Sequence, residues 1–308
     1  MQSINVDFFL RFVNLLLNDA TYVLDEALSK FPKIHELEKE LAHDAPPLTA
    51  EQRTAKEEEL ATAEGQAQSY MQLTNETMAM MVLFTKNLSA SFTMPQIVER
   101  VAAMLNYTLD QIVGVRQREL KVSKPEKYHW SPKILLGEFI DIYLNLSTEE
   151  RFIDAVARDG RSYKPVNYDN ATKIIEKHSL KSPEEVAAWE KLKVRFKEAK
   201  EREEQEEEDL GEIPDEFLDP ILATLMLDPV ILPMSRMTVD RSMIQSHLLS
   251  DAQDPFNRSP LKIEDVIDDV EMKTRITAWR EEMRLKAKAK KDETRDAAEA
   301  DAMDVCEG

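Results

Sequence analysis

The sequence predicts a mainly α-helical protein. An irregular helical-repeat stack (armadillo/HEAT-like) covers 1–196, a charged linker 197–211, a small α+β domain 212–288 and a disordered acidic tail 289–308. Three observations carry this reading. Glycine is scarce, at 6 of 308 residues, while Leu, Ala, Glu and Met abound, a mix that favours helices. Helix start signals recur through the first two-thirds of the chain. After Gly211 the texture changes: prolines fall at 214, 220, 229, 233, 255 and 260, a density that excludes long helices.

The elements follow in order. Phe8, Phe9, Phe12, Leu15 and Leu16 recur at helical spacing. A proline-rich break, His43-Asp44-Ala45-Pro46-Pro47, ends that helix. Thr49-Ala50-Glu51-Gln52 has the form of a capping box and opens the next. Pro95 opens a helix through Ile97, Val98, Val101, Met104 and Leu105. Ser131-Pro132 places a proline at a first helical position, and Ser147-Thr148-Glu149-Glu150 is a second capping box. Asp159-Gly160 stops that helix. Ser182-Pro183-Glu184-Glu185 begins a long helix in which Val186, Trp189, Leu192, Val194 and Phe196 can pack. From Lys197 to Asp209 it carries eight acids and three bases, which bury nothing, so that stretch reads as a solvated helix or spacer.

Beyond it, Val230-Ile231-Leu232 and Met237-Thr238-Val239 flank Pro233-Met234-Ser235-Arg236, a hairpin signal. Asp240 caps a short helix through Ile244, His247 and Leu248. The loop Asp254-Pro255-Phe256-Asn257-Arg258-Ser259-Pro260 follows, and Val270, Met272, Ile276 and Trp279 mark a final helix.

Composition excludes several classes of function. A formal net charge of −19 repels phosphate backbones, so no nucleic-acid partner is expected. The single cysteine, Cys306, allows neither an internal disulfide nor a four-cysteine zinc site, and the five histidines show no ligand spacing. The chain therefore reads as metal-free and intracellular. No apolar run approaches the roughly 18 residues that span a bilayer, so no membrane partner is expected. No glycine-rich phosphate loop occurs, and no cofactor is expected. Cys306 lies beside Asp304 and Glu307, which disfavour its thiolate, so it is a poor candidate for carrying a covalent acyl group. A hydrolase built on paired carboxylates fits poorly, because charge runs on helices are usually solvated faces.

Four blocks in order carry a resemblance. They are Ile213-Pro214-Asp215-Glu216-Phe217-Leu218-Asp219-Pro220-Ile221, Met226-Leu227-Asp228-Pro229-Val230, Asp240-Arg241-Ser242 and Asp254-Pro255-Phe256-Asn257-Arg258. Together they closely resemble the U-box, a zinc-free relative in shape of the RING domain. Upstream, Met71–Thr77, Ala102–Tyr107 and Ala157–Pro165 look like the helical core of the U-box ubiquitin chain-elongation factors. Members of that family are much longer, so the resemblance places this chain as their C-terminal part and leaves open whether Met1 is a native start. A stack cut there exposes an apolar face at its N-terminal end.

The resemblance implies a ubiquitin ligase. It docks a ubiquitin-charged conjugating enzyme and promotes direct transfer to a lysine of ubiquitin or a substrate, with no covalent ubiquitin on the protein itself. The implied docking groove is lined by Ile221 and Leu222 on one loop and Pro255, Phe256 and Pro260 on the other. Leu248 between them either floors the groove or belongs to the core. Arg258 matches a residue that touches both conjugating enzyme and ubiquitin; the alternative is a surface ion pair with Asp254. Without zinc, the loops need a polar network, for which Asp228, Ser235, Asp240, Arg241, Asp254 and Asn257 are the candidates. The family also implies an AAA segregase ATPase as partner, delivery to the proteasome, including in ER-associated degradation, and action in cytoplasm and nucleus. The competing reading is a non-catalytic helical adaptor. Ala223, where family members often carry an aromatic residue, favours it.

Overall fold

In the computed structural model, which describes residues 6–42 and 48–306, the chain divides into two compact units, Met1–Lys200 and Glu201–Gly308. The division falls inside one long helix, within the run of charge expected as a linker. The His43–Pro47 break lies outside the described residues.

The first unit begins with two long helices packed on each other, α1 (Val6–Ala42) and α2 (Ala50–Phe92). α2 opens on the expected capping box: Gln52 N donates to Thr49 Oγ1 at 3.2 Å, and Thr49 N to Gln52 Oε1 at 3.0 Å. α3 (Val98–Val113), α4 (Pro132–Leu146), α5 (Glu150–Arg158) and α6 (Pro165–Lys177) follow, then α7 (Pro183–Leu210). Two 3₁₀ turns, Val115–Leu120 and Pro125–Tyr128, join α3 to α4.

Two expected boundaries move. Pro95 sits in a turn and α3 starts only at Val98. Ser147 does not cap α5: its hydroxyl donates back to the Leu144 carbonyl at 2.7 Å, ending α4, and α5 starts from Glu149 with no side-chain cap. A Ser-x-x-Glu pattern is equally at home at a helix end, where serine bonds the preceding turn. The box at Ser182 does form, with Ser182 N on Glu185 Oε2 at 2.8 Å and Glu185 N on Ser182 Oγ at 3.3 Å.

The core of this unit is aromatic and contains one satisfied polar centre. Tyr143, Phe152, Tyr168, Trp189 and Phe196 bury against one another, with ring centroids 5.4 to 6.2 Å apart. Asn106 is buried among them. Its Oδ1 accepts from Tyr143 (2.8 Å) and Tyr168, and its Nδ2 donates to the Val156 carbonyl (3.2 Å) and Asp159 Oδ2 (3.0 Å). Such a centre fixes one packing, because any alternative leaves polar groups unpaired in low dielectric. Val194, expected to pack, is exposed. So are Phe8, Leu15 and Tyr22 on α1 and Leu73 and Leu83 on α2.

The second unit holds a small antiparallel sheet of order β2-β1-β3, from β1 (Pro229–Ile231), β2 (Thr238–Asp240) and β3 (Ile267–Asp268). The register pairs Val230 with Val239 and with Asp268. The hairpin was legible in the sequence; the two-residue β3 was not. α8 (Arg241–Leu248) follows β2, and α9 begins at Val270. Val230, Leu232, Val239, Met243, Ile244 and Leu261 form one core cluster, and Phe217, Met226 and Ile276 a second. The backbone of α9 continues to Cys306, where the sequence reading expected a disordered tail from 289. The segment from 289 carries five alanines and three glutamates, good helix formers even with little to bury, beside four aspartates.

Candidate functional site

The site is built from one backbone device used three times. In each of the segments starting at Asp219, Leu232 and Asp254, the second residue is proline and the fifth has positive φ: Ala223 (54°), Arg236 (61°) and Arg258 (60°). The first residue donates its N–H to the carbonyl of the sixth: Asp219 to Thr224 (2.8 Å), Leu232 to Met237 (2.9 Å), Asp254 to Ser259 (2.8 Å). The fifth donates back to the carbonyl of the first, at 2.8, 3.0 and 2.8 Å. Proline presets the second position, and the left-handed fifth residue turns the chain back on itself. Left-handed φ costs a residue with a Cβ on the order of 1–2 kcal/mol.

In the hairpin turn at Leu232 the β1–β2 ladder fixes the geometry. The other two turns close on single antiparallel bridges, Leu218 with Leu225 and Gln253 with Pro260, and each adds an aspartate. Asp219 is fully buried; its Oδ1 accepts from Ile221 N (2.8 Å) and Leu222 N (3.0 Å), and its Oδ2 from Asp240 N (2.7 Å). Asp254 is 1% exposed and its Oδ1 accepts from Phe256 N at 2.9 Å. Its Oδ2 is buried with no hydrogen-bond partner among the described residues. The two loops are near copies, differing in how completely the aspartate is satisfied.

Asp240 links the loops to α8. Its Oδ2 accepts from Leu227 N (2.7 Å) and Asp228 N (3.0 Å), while its Oδ1 caps α8 through Ser242 N (2.9 Å) and Ser242 Oγ (2.6 Å). Asp219, bonded to Asp240 N, thus ties the first loop to the start of α8. Asp228 receives Arg241 Nε and Lys273 Nζ, each at 2.6 Å, and Arg241 also pairs with Asp268. His247 Nε2 lies 2.9 Å from the Gln253 carbonyl, which makes it the donor and ties α8 to the second loop.

Of the six expected network residues, Asp228, Arg241 and Asp240 bond across elements. Asp254 and Asn257 bond only inside their own loop; Asn257 Oδ1 accepts from Ser259 N (2.9 Å) and Ser259 Oγ (2.7 Å). The Ser235 hydroxyl is buried with no partner among the described residues, so it is not a network member. The residue that the sequence reading missed is Asp219. Its signal was present, since Asp-Pro favours a side chain bonded to the N–H two residues on.

The pair at Asp228 has a pH consequence. The Lys273 ammonium, bonded to the Asp228 carboxylate, holds its pKa below the usual 3.8, and Arg241 acts the same way. The folded-state pKa lies below the unfolded one, so the contribution is fully present above about pH 4 and lost as pH falls through the folded value. Acid titration followed by near-ultraviolet dichroism is expected to show unfolding of this unit beginning below about pH 4, with a shallower slope in Asp228→Asn.

Held this way, the loops present apolar side chains outward. Ile221 is 45% exposed, Leu222 53% and Phe256 39%. Pro260 is exposed and Pro255 half-buried. Leu248 is half-buried against the core cluster of β1, β2 and α8. The Arg258 side chain is exposed and makes no ion pair with Asp254 or hydrogen bond among the described residues. Among the described residues no group of His, Cys, Asp and Glu is arranged to hold a metal, and no helix is long and apolar enough to cross a membrane.

Comparisons with known proteins bear on both units. Residues 1–197 match the family model described as "Ubiquitin elongating factor core", and residues 213–285 that described as "U-box domain". The chain is similar to the ubiquitin conjugation factor E4 of Schizosaccharomyces pombe, at 46% identity over 286 residues, covering 92% of this chain and 28% of that protein. It is 42% identical over 293 residues to an E4 ubiquitin-protein ligase of Saccharomyces cerevisiae, covering 94% of this chain and 30% of that one. A probable ubiquitin conjugation factor E4 of Arabidopsis thaliana is 41% identical over 276 residues, covering 87% of this chain and 26% of that protein. The chain spans less than a third of the length of these relatives.

Proposed function

We propose, from the premise that the chain belongs to the ubiquitin elongating factor core family and carries its U-box, that it promotes ubiquitin transfer from a conjugating enzyme. The observation that carries this reading is the pair of twin loops. They hold Ile221, Leu222 and Phe256 outward on backbones already hydrogen-bonded, so docking orders little. The conjugating enzyme docks its apolar loops there, with Pro255 and Pro260 as stiff margins. Arg258 then holds the thioester-linked ubiquitin in a folded-back pose. Its planar fork suits several carbonyl acceptors at once. Acceleration comes from restricting the thioester's orientation, with no bond to the protein. The product is a longer ubiquitin chain on ubiquitin or a substrate.

The same reading includes an AAA segregase ATPase as partner, proteasomal degradation of the substrate, and action in cytoplasm and nucleus. Support for these is the family likeness alone.

Discharge of ubiquitin from a charged conjugating enzyme to free lysine tests the core of the proposal. Wild type is expected to accelerate discharge. Ile221→Ala, which removes an exposed anchor, is expected to weaken conjugating-enzyme binding about tenfold and slow discharge in parallel, as for a central anchor of an interface. Binding by wild type without faster discharge, across a panel of conjugating enzymes, would instead establish the adaptor reading.

A further inference from the structure

The first unit contains a cleft of about 520 Å³ beside the turn Pro125–Tyr128, in the size range of sites that hold a peptide side chain or small ligand. Its rim is fixed before any ligand arrives. Trp130 N donates to the Pro125 carbonyl at 3.0 Å, Asn75 Nδ2 to the His129 carbonyl at 3.0 Å, and His129 is held at φ 53°. One wall is Ile134, 66% exposed on the first turn of α4; the indole of Trp130, braced on Phe31 with centroids 5.2 Å apart, lies beneath.

The charged lining is one-sided. Glu126 and Glu138 line the cleft, and no lysine or arginine does. Glu138 is half-buried, and its carboxylate has no hydrogen-bond or ion-pair partner among the described residues. The cation that acts on it, Lys181, is already bonded to Asp141. Burial, and then Asp141, raises the pKa of Glu138, as expected for a carboxylate short of a counter-charge. Glu138 stands beyond the first turn of α4, where the helix dipole that disfavours cations has faded.

We propose that this cleft binds a basic peptide segment, taking one lysine or arginine whose aliphatic stem lies along Ile134 and Trp130 and whose charge meets Glu138. Long basic side chains match such a site because the stem buries on apolar surface while the head keeps a polar partner. The chain's net charge of −19 draws basic segments toward it. The proposal concerns the helical unit alone and stands or falls independently of ubiquitin discharge.

The test is a titration of the full chain at pH 8, where carboxylates are charged and ordinary imidazoles neutral. The three tryptophan indole signals are followed by ¹H–¹⁵N NMR, that of Trp130 assigned with Trp130→Phe. The probes are acetyl-Leu-Lys-amide and acetyl-Leu-norleucine-amide, alike in stem and different in charge. The lysine probe is expected to shift the Trp130 signal saturably, and the norleucine probe is not. Glu138→Gln, which keeps shape and removes charge, is expected to weaken binding at least fivefold with the other two indole signals unmoved. No saturable shift, equal binding of both probes, or unchanged affinity in Glu138→Gln each overturns the proposal.

Discussion

Replacing Asp219 with alanine is expected to unlock the first loop. The buried carboxylate accepts three N–H bonds, from Ile221, Leu222 and Asp240. Removing it strands three donors, two in the loop and one at the end of β2. An unsatisfied buried donor costs about 1–3 kcal/mol; only the Asp240 N–H is buried, the two loop N–H groups being part-buried and open to water, so the loss is on the order of 1–3 kcal/mol. Hydrogen exchange in the full chain reads it directly: the amides of Ile221, Leu222 and Asp240 lose protection while those of the α3–α6 helices do not. Asp254→Ala is the informative comparison. Its carboxylate accepts only from Phe256 N, and its other oxygen is already unpaired among the described residues, so the expected cost is a fraction of that at Asp219. Equal loss of protection at both sites would show that the twin loops do not differ as their hydrogen bonds say. If the exposed Ile221 and Leu222 are the docking anchors, Asp219→Ala also abolishes discharge although it touches no partner.

Replacing Arg258 with alanine is expected to slow ubiquitin discharge by about ten- to a hundredfold while conjugating-enzyme affinity stays within about twofold. The guanidinium is exposed, so truncation leaves nothing unpaired inside the protein and the fold is unchanged. Arg258→Lys keeps the charge but loses the fork, and is expected to recover only part of the rate. Arg258→Gly adds a second separation. With φ at 60° the residue pays for its Cβ, so glycine is expected to stabilise the loop by about 1 kcal/mol while remaining as slow as alanine. A variant that is more stable and less active places the arginine in the reaction. Parallel loss of affinity and rate in Arg258→Ala would make it a docking residue instead, and no change in either would leave it without a role.

Much of this was determined by the sequence. Helix positions followed from local chemistry: the boxes at Thr49 and Ser182, proline at 132 and 183, and Asp240 as the cap of α8 each act within four residues. The four motif blocks located the twin loops because Asp-Pro turns are also local, and the exposed Ile221, Leu222, Phe256 and Arg258 follow from them. Tertiary structure decided what depends on distance along the chain. Ser147 could cap forward or bond backward, and the packing of α4 chose the latter. Asp219 reads as a simple turn residue until β2, twenty-one residues on, brings the Asp240 N–H to its second oxygen. Asp254, in the same local sequence, receives no such donor among the described residues. Ser235 looked like a network member by type and is not, since no partner reaches it among the described residues. The cleft beside Trp130 combines Asn75 with a segment more than fifty residues later. Short-range hydrogen bonds and proline geometry are written in consecutive residues. Which buried oxygen is satisfied depends on where distant backbone arrives, and only the packed chain specifies that.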